Sequence, residues 1–188
     1  MKIKRLFISM LAIAMAMSFT ACDDDDDDDD TPPPMEPTLY EKLGGPTLVE
    51  DPVNPDEMIE QGKLGLRSVV DTTIVLIPSD TILAPYFETL LMEVNDGNLT
   101  GRDALSMRLT NFFSNATGSE NIEYNGLDMV TAHDPDLNPR MEFAADDMAF
   151  DAFVAAVGAS AEMNNVPEEL IVEVADLLET LREPVVQE

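Results

Sequence analysis

Four stretches of this chain repeat apolar residues at spacings of three and four, and each is bounded by residues that start or stop helices. From Met58 to Ile77 the set is Met58, Ile59, Leu64, Leu66, Val69, Val70, Ile74 and Ile77; Gly62 and Gly65 loosen the segment and Pro78 ends it. The β-branched run Val69 to Ile77 also suits a strand, but its alternation is poor and no partner strand is evident, so the reading is helix. From Asp103 to Ala116 the stripe is Leu105, Leu109, Phe112, Phe113 and Ala116, with Gly118 placed as a stop. From Asp147 to Met163 it is Phe150, Phe153, Val154, Val157 and Ala161. The last begins at Pro167, where Glu168 and Glu169 suit the positive end of a helix dipole. It runs through Leu170, Ile171, Val174, Leu177, Leu178 and Leu181 to a close at Pro184. Segments 46–56, 95–101 and 134–145 are rich in Pro, Asn, Gly and Asp and read as loops. The expectation is an all-α domain with enlarged loops.

The first residues have a different character. Lys2, Lys4 and Arg5 precede an apolar run, Leu6 to Met17, and then Phe19-Thr20-Ala21-Cys22. Residues 1–21 read as a secretory signal peptide. The lone cysteine after such a run resembles a bacterial lipoprotein processing site, with Phe19 where that family usually has Leu. The resemblance implies cleavage before Cys22 and a diacylglycerol on its sulfur. The carboxylates of Asp23 to Asp30 repel and cannot pack, and the prolines up to Pro37 favour extended backbone, so residues 22–37 read as a solvated tether. A metal site in that run lacks a fixed geometry. The expected location is the outer membrane, as an exported lipoprotein facing the periplasm or the exterior.

Residues 38–188 are then enough for one domain with its own core. They contain no cysteine, so no disulfide contributes. The formal charge of −28 becomes −31 once residues 1–21 take Lys2, Lys4 and Arg5 with them. Such a surface argues against nucleic acid and against electrostatic docking on anionic lipid.

His133 is the sole histidine. It ends the frame Tyr124-Asn-Gly126-Leu-Asp-Met129-Val-Thr-Ala132-His133. One imidazole cannot build a multi-histidine zinc or copper site. It suffices as the axial ligand of a haem iron, whose four equatorial nitrogens come from the porphyrin. The hydrolase classes find no Cys–His or Ser–His–Asp arrangement here. Asp134-Pro-Asp136-Leu-Asn138 opens like a calcium loop but has Pro139 and Ala145 where such a loop needs Gly and Glu.

In order along the chain, several segments resemble bacterial truncated haemoglobins, closest to group I. They are Leu39-Tyr40-Glu41-Lys42-Leu43-Gly44-Gly45, Val69-Val70-Asp71, and Leu83-Ala84-Pro85-Tyr86-Phe87. Phe112-Phe113 before Gly118, the His133 frame, Phe150-Asp151-Ala152-Phe153-Val154 and Val166-Pro167-Glu168-Glu169 continue the match. The resemblance implies a two-over-two helical sandwich holding haem b, with His133 as proximal ligand. It implies that Phe87 packs on the porphyrin and that Phe112 and Phe113 are aromatic pocket residues on the distal helix, with Met129 and Phe153 in the same pocket. O2, NO or CO would be the ligands, and an unidentified reductase the partner.

The departures from that family shape the expected chemistry. Counting back from Phe87, the distal tyrosine position falls on Ile74 and the preceding aromatic on Thr73. Counting back from Phe112, the distal-helix positions are Leu105 and Leu109, the second often glutamine in the family. Extra residues lie after Gly45, between Phe87 and Leu105, and between His133 and Phe150. A pocket with so few hydrogen-bond donors favours gas binding or electron transfer over NO dioxygenation, with rapid loss of bound oxygen. Met107 or Met129 as a sixth ligand is a sharper reading than core packing, which fits methionine better. Arg108 and Lys63 are candidate partners for haem propionates. The competing function is a globin-fold lipoprotein without haem, working as an interaction module.

Overall fold

The first helix, α1 (Leu39–Lys42), is capped reciprocally: Thr38 Oγ1 accepts from the Glu41 N–H, and the Thr38 N–H donates to Glu41 Oε2 at 2.7 Å. The computed structural model describes residues 36–187. The leader 1–21, the lipidation candidate Cys22 and the tether up to residue 35 lie outside the described residues.

A hairpin follows α1. Strands β1 (Leu48–Glu50) and β2 (Met58–Glu60) pair antiparallel, with Val49 opposite Ile59. The helix expected from Met58 therefore starts at Gln61 instead. A long-range ion pair accounts for the difference. Both guanidinium Nη atoms of Arg67 donate to the buried Asp51 carboxylate, at 2.6 and 2.9 Å. Asp51 accepts in addition from the Val53 N–H at 2.8 Å, which folds the 51–57 turn. Arg67 holds the Asp51 carboxyl well below the usual carboxylate range.

Helix α2 (Gln61–Leu76) buries Leu66, Val69, Val70, Thr73 and Ile74 along one face, and 3-10 turns at Ile77–Ser79 and Ala84–Phe87 follow it. The β-branched run is helical, and its hydroxyls are absorbed locally. Thr72 Oγ1 donates to the Ser68 carbonyl at 2.8 Å and Thr73 Oγ1 to the Val69 carbonyl at 2.9 Å.

Helix α3 (Glu88–Asn95) falls in the stretch expected to be extra between Phe87 and Leu105. Helix α4 (Thr100–Ala116) starts three residues earlier than its periodicity suggests and stops where Gly118 predicts. Gly118 has φ +100°, and a Cβ there would lie 2.9 Å from Thr38 Cβ. Its N–H donates to the Asn115 carbonyl and the Ser119 N–H to the Ser114 carbonyl, so the orphan carbonyls are satisfied. A five-residue helix, α5 (Met129–His133), carries the histidine. Helix α6 (Asp147–Met163) is capped by Asp146, whose Oδ1 accepts from the Ala149 N–H at 2.7 Å. Helix α7 (Glu168–Glu179) ends before Pro184, which sits instead inside a last short helix, α8 (Arg182–Val185), where its missing N–H costs no bond.

Helix α2 packs on both α4 and α6, and α6 packs on α7, so one helix pair stacks on another. Tyr40, Leu66, Val70, Ile74, Phe113, Val157 and Leu178 form the shared core. Each large side chain so buried contributes about 1.5–3 kcal/mol of transfer free energy. The architecture is the all-α two-over-two globin-like sandwich expected, with a small hairpin added.

Candidate functional site

Helix α5 is too short to persist on its own strength. Met129 packs on Ala145, Phe150 and Val185, and three polar side chains bond the helix backbone. Asp128 caps its start: Oδ1 accepts from the Thr131 N–H at 3.0 Å and Oδ2 from Thr131 Oγ1 at 2.7 Å, which holds the Asp128 carboxyl below its ordinary value. Gln187 Nε2 donates to the Val130 carbonyl at 2.8 Å. Asn138 Nδ2 donates to the Ala132 carbonyl at 2.6 Å.

The His133 ring is bonded one turn back, Nδ1 to the Met129 carbonyl oxygen at 2.8 Å. A carbonyl oxygen only accepts, so Nδ1 carries the hydrogen and, in the neutral ring, Nε2 carries the lone pair. Among the described residues Nε2 has no protein partner. Burial pushes the imidazole below its ordinary pKa and outweighs the opposing bond to Met129. The ring is therefore neutral at pH 7, as a metal ligand must be. A backbone carbonyl fixing the tautomer is the usual support of a ligating histidine.

His133 lines a cavity of about 560 Å³. That volume falls among cofactor-sized sites, roughly 300–1,000 Å³. Helix α4 contributes Leu105, Leu109, Phe112 and Phe113; α6 contributes Phe150 and Phe153; Phe87 and Leu90 close a third side. Phe112 stacks edge-on with Phe113 and with Tyr124, at centroid distances of 5.7 and 5.3 Å. The Tyr124 hydroxyl donates to the Leu127 carbonyl at 2.8 Å, and burial raises its pKa, so that proton is committed. The cationic lining groups are Arg108 and Arg140. Arg140 is paired with Glu93; Arg108 has no ion-pair partner among the described residues.

Of the residues singled out in the sequence, Phe87, Leu105, Leu109, Phe112, Phe113, Met129, His133 and Phe153 all border this one cavity. Thr73 and Ile74 do not. They are 2% and 8% exposed within the α2 face that meets α4 and α6. Lys63 is not in the lining, and Met107 is 58% exposed on the outside of α4. The structure adds Tyr124, Asn138, Arg140 and Met141 to the lining. Tyr124 stood in the histidine frame without a role. The other three belong to a segment that composition marks only as loop.

With this geometry in hand, the chain can be set beside solved structures. The fold is that of a truncated haemoglobin. The truncated haemoglobin of Tetrahymena pyriformis, in its Fe(III) form, superposes with a TM-score of 0.58 at 21% identity, over 81% of this chain and 100% of that one. Two point mutants of the same haemoglobin give the same figures. No family model and no curated protein sequence matches the chain.

Proposed function

We propose that this chain is a haem-binding truncated globin that binds small diatomic gases and is tethered to a bacterial membrane through Cys22. The observation that carries the reading is His133: a neutral imidazole, its tautomer set by the Met129 carbonyl and its Nε2 unpartnered, in the wall of an apolar, cofactor-sized cavity. The iron noted for the Tetrahymena structures makes haem the natural occupant of such a cavity. His133 Nε2 would ligate the iron. Phe87, Phe112 and Phe153 would pack on the porphyrin, and Arg108 would pair with a propionate. Cys22 is the only cysteine, so a thioether-linked haem would have no attachment point within the domain, and non-covalent haem b fits the chain.

Haem, when bound, supplies an open iron position for O2, NO or CO. Leu105 and Leu109 bring no hydrogen-bond donor to that space, and the hydroxyls of Thr73 and Tyr124 are committed to backbone carbonyls. Leu105 and Leu109 would therefore offer a gas on the iron no hydrogen bond, a lack that would weigh more on O2 than on CO or NO. Oxygen release from the haem-loaded chain would be fast and its oxidation in air ready. Gas binding or electron transfer with an external reductase fits better than NO dioxygenation. The signal-like leader 1–21 and the acidic tether 22–37 support an exported, outer-membrane location for this chemistry.

Optical spectra of the haemin-loaded chain, oxidised, reduced and under CO, together with oxygen release rates, test this reading. A Soret band with fast oxygen release is expected. Slow release with a hydrogen-bonded iron–oxygen signature contradicts the pocket assignment, and failure to take up haemin leaves only the haem-free interaction module.

A further inference from the structure

The segment between His133 and α6, residues 134–145, forms part of the cavity wall and is fastened at several points. Near His133 it coils on itself: the Asp136 N–H donates to Asp134 Oδ1, and the Asn138 N–H to the Asp134 carbonyl, both at 2.8 Å. At its middle, Arg140 pairs in bidentate fashion with Glu93 of α3, Nη1 to Oε1 at 3.0 Å and Nη2 to Oε2 at 2.7 Å. Further on, Phe143 meets Tyr86 edge-on at 4.6 Å. At its end the Gln187 N–H donates to the Ala145 carbonyl at 3.1 Å. Asn138, Arg140, Met141 and Ala145 all line the cavity.

One side chain joins this segment to the helix that carries His133. Asn138 Nδ2 donates to the Ala132 carbonyl at 2.6 Å, while its Oδ1 accepts from the Arg140 N–H at 3.2 Å. The amide therefore connects the peptide just before His133 to the residue clamped on α3. We propose that Asn138 is a positioning residue for His133, and that the Glu93–Arg140 pair is the anchor it works through. The purpose, a fixed imidazole for haem iron, rests on the function proposed above; the positioning itself does not.

The pair is partly exposed, 26% at Glu93 and 46% at Arg140, so alone it is a modest anchor. Asn138 is half-buried, and its loss would leave the Ala132 carbonyl without that bond. The effect of Asn138 therefore exceeds that of either charge. Gly101, in the first turn of α4, offers an independent handle. A Cβ there would strike the Glu93 carboxylate and come within 2.8 Å of Arg140 Nη2. Alanine at that position favours the helix itself, so Gly101→Ala displaces the pair without weakening α4.

Because His133 is the only histidine, two-bond proton–nitrogen correlations of the haem-free chain report on this ring alone. At about pH 8, where an imidazole is neutral, the wild type is expected to show one tautomer with hydrogen on Nδ1. Asn138→Ala and Asn138→Asp should both drift toward the mixture of a free imidazole; the carboxylate keeps the acceptor for Arg140 but has no hydrogen for Ala132. Glu93→Gln and Gly101→Ala should drift less, and the exchange Glu93→Arg with Arg140→Glu should restore the wild-type signal. With haemin loaded, loss to a scavenger should quicken about fivefold in Asn138→Ala and about twofold in Glu93→Gln. Should Asn138→Ala fail to fold by circular dichroism, the Glu93 and Gly101 variants carry the test. A wild-type ring that is already mixed, or a single tautomer kept in every folded variant, overturns the proposal. If the tautomer shifts occur but the chain takes up no haemin, the positioning stands and the haem reading fails.

Discussion

The four long helices and the short helix α5 are held by different physics. Helices α2, α4, α6 and α7 close on shared apolar side chains, among them Leu66, Val70, Phe113, Val157 and Leu178. Many small contacts sum there, and no single hydrogen bond decides the outcome. Helix α5 has no fully buried residue; beyond the packing of Met129 on Ala145, Phe150 and Val185, it is held by side-chain hydrogen bonds from Asp128, Asn138 and Gln187. The scaffold is therefore expected to resist local perturbation, and the segment carrying His133 to open when one clamp is removed.

That contrast can be broken most forcefully at Ile74. It is 8% exposed and belongs to the scaffold core. Ile74→Ala is expected to cost about 2–5 kcal/mol in urea unfolding while leaving the spectrum of bound haem in place. A changed spectrum at unchanged stability would return Ile74 to the pocket.

Next in size is a pH effect at the Asp51–Arg67 pair. Arg67 depresses the folded-state pKa of Asp51, so the folded chain favours the carboxylate. Its stabilisation is complete above the ordinary carboxyl value near about 4 and is lost as pH falls below it. The urea midpoint of the wild type should fall on acidification, and in Asp51→Asn it should start lower and fall less. Parallel curves would remove this pair from the scaffold.

Two cap substitutions sharpen the comparison at smaller scale. Asp146→Ala removes the cap of α6 and should cost about 1 kcal/mol globally. Asp128→Ala removes the cap of α5 and should leave the urea midpoint unchanged, with faster amide exchange confined to residues 130–133. Equal global losses at the two caps would show that α5 is part of the cooperative core after all.

The same division explains what could be read in the sequence. Helix α6 was legible to its ends, because Asp146, Phe150, Phe153 and Val157 state the cap and the buried face locally. The start of α2 was not, because Met58-Ile59-Glu60 is too short to show a strand period and its partner depends on Asp51 reaching Arg67. Helix α3 was hidden in a stretch read only as extra residues. Leu105, Leu109, Phe112 and Phe113 of the α4 stripe share one face and border the cavity, as helical spacing allows, while Ala116 of the same stripe does not. Thr73 and Ile74 were placed by counting back from Phe87. The two 3-10 turns between them do not preserve helical phase, and α2 turns those residues into the core. Asn138 and Arg140 carry no periodic signal; Asn138 acts through an irregular local contact with Ala132, and Arg140 through Glu93, 47 residues away.

The most direct measurement is a haemin titration of the wild-type chain beside His133→Ala, followed at the Soret band, with imidazole then added to each. The account predicts a sharp, stoichiometric Soret transition in the wild type. It predicts a weak, shifted band in the variant that added imidazole restores, because the cavity survives and only its nitrogen is gone. Identical titrations in the two proteins, or none in either, would contradict it.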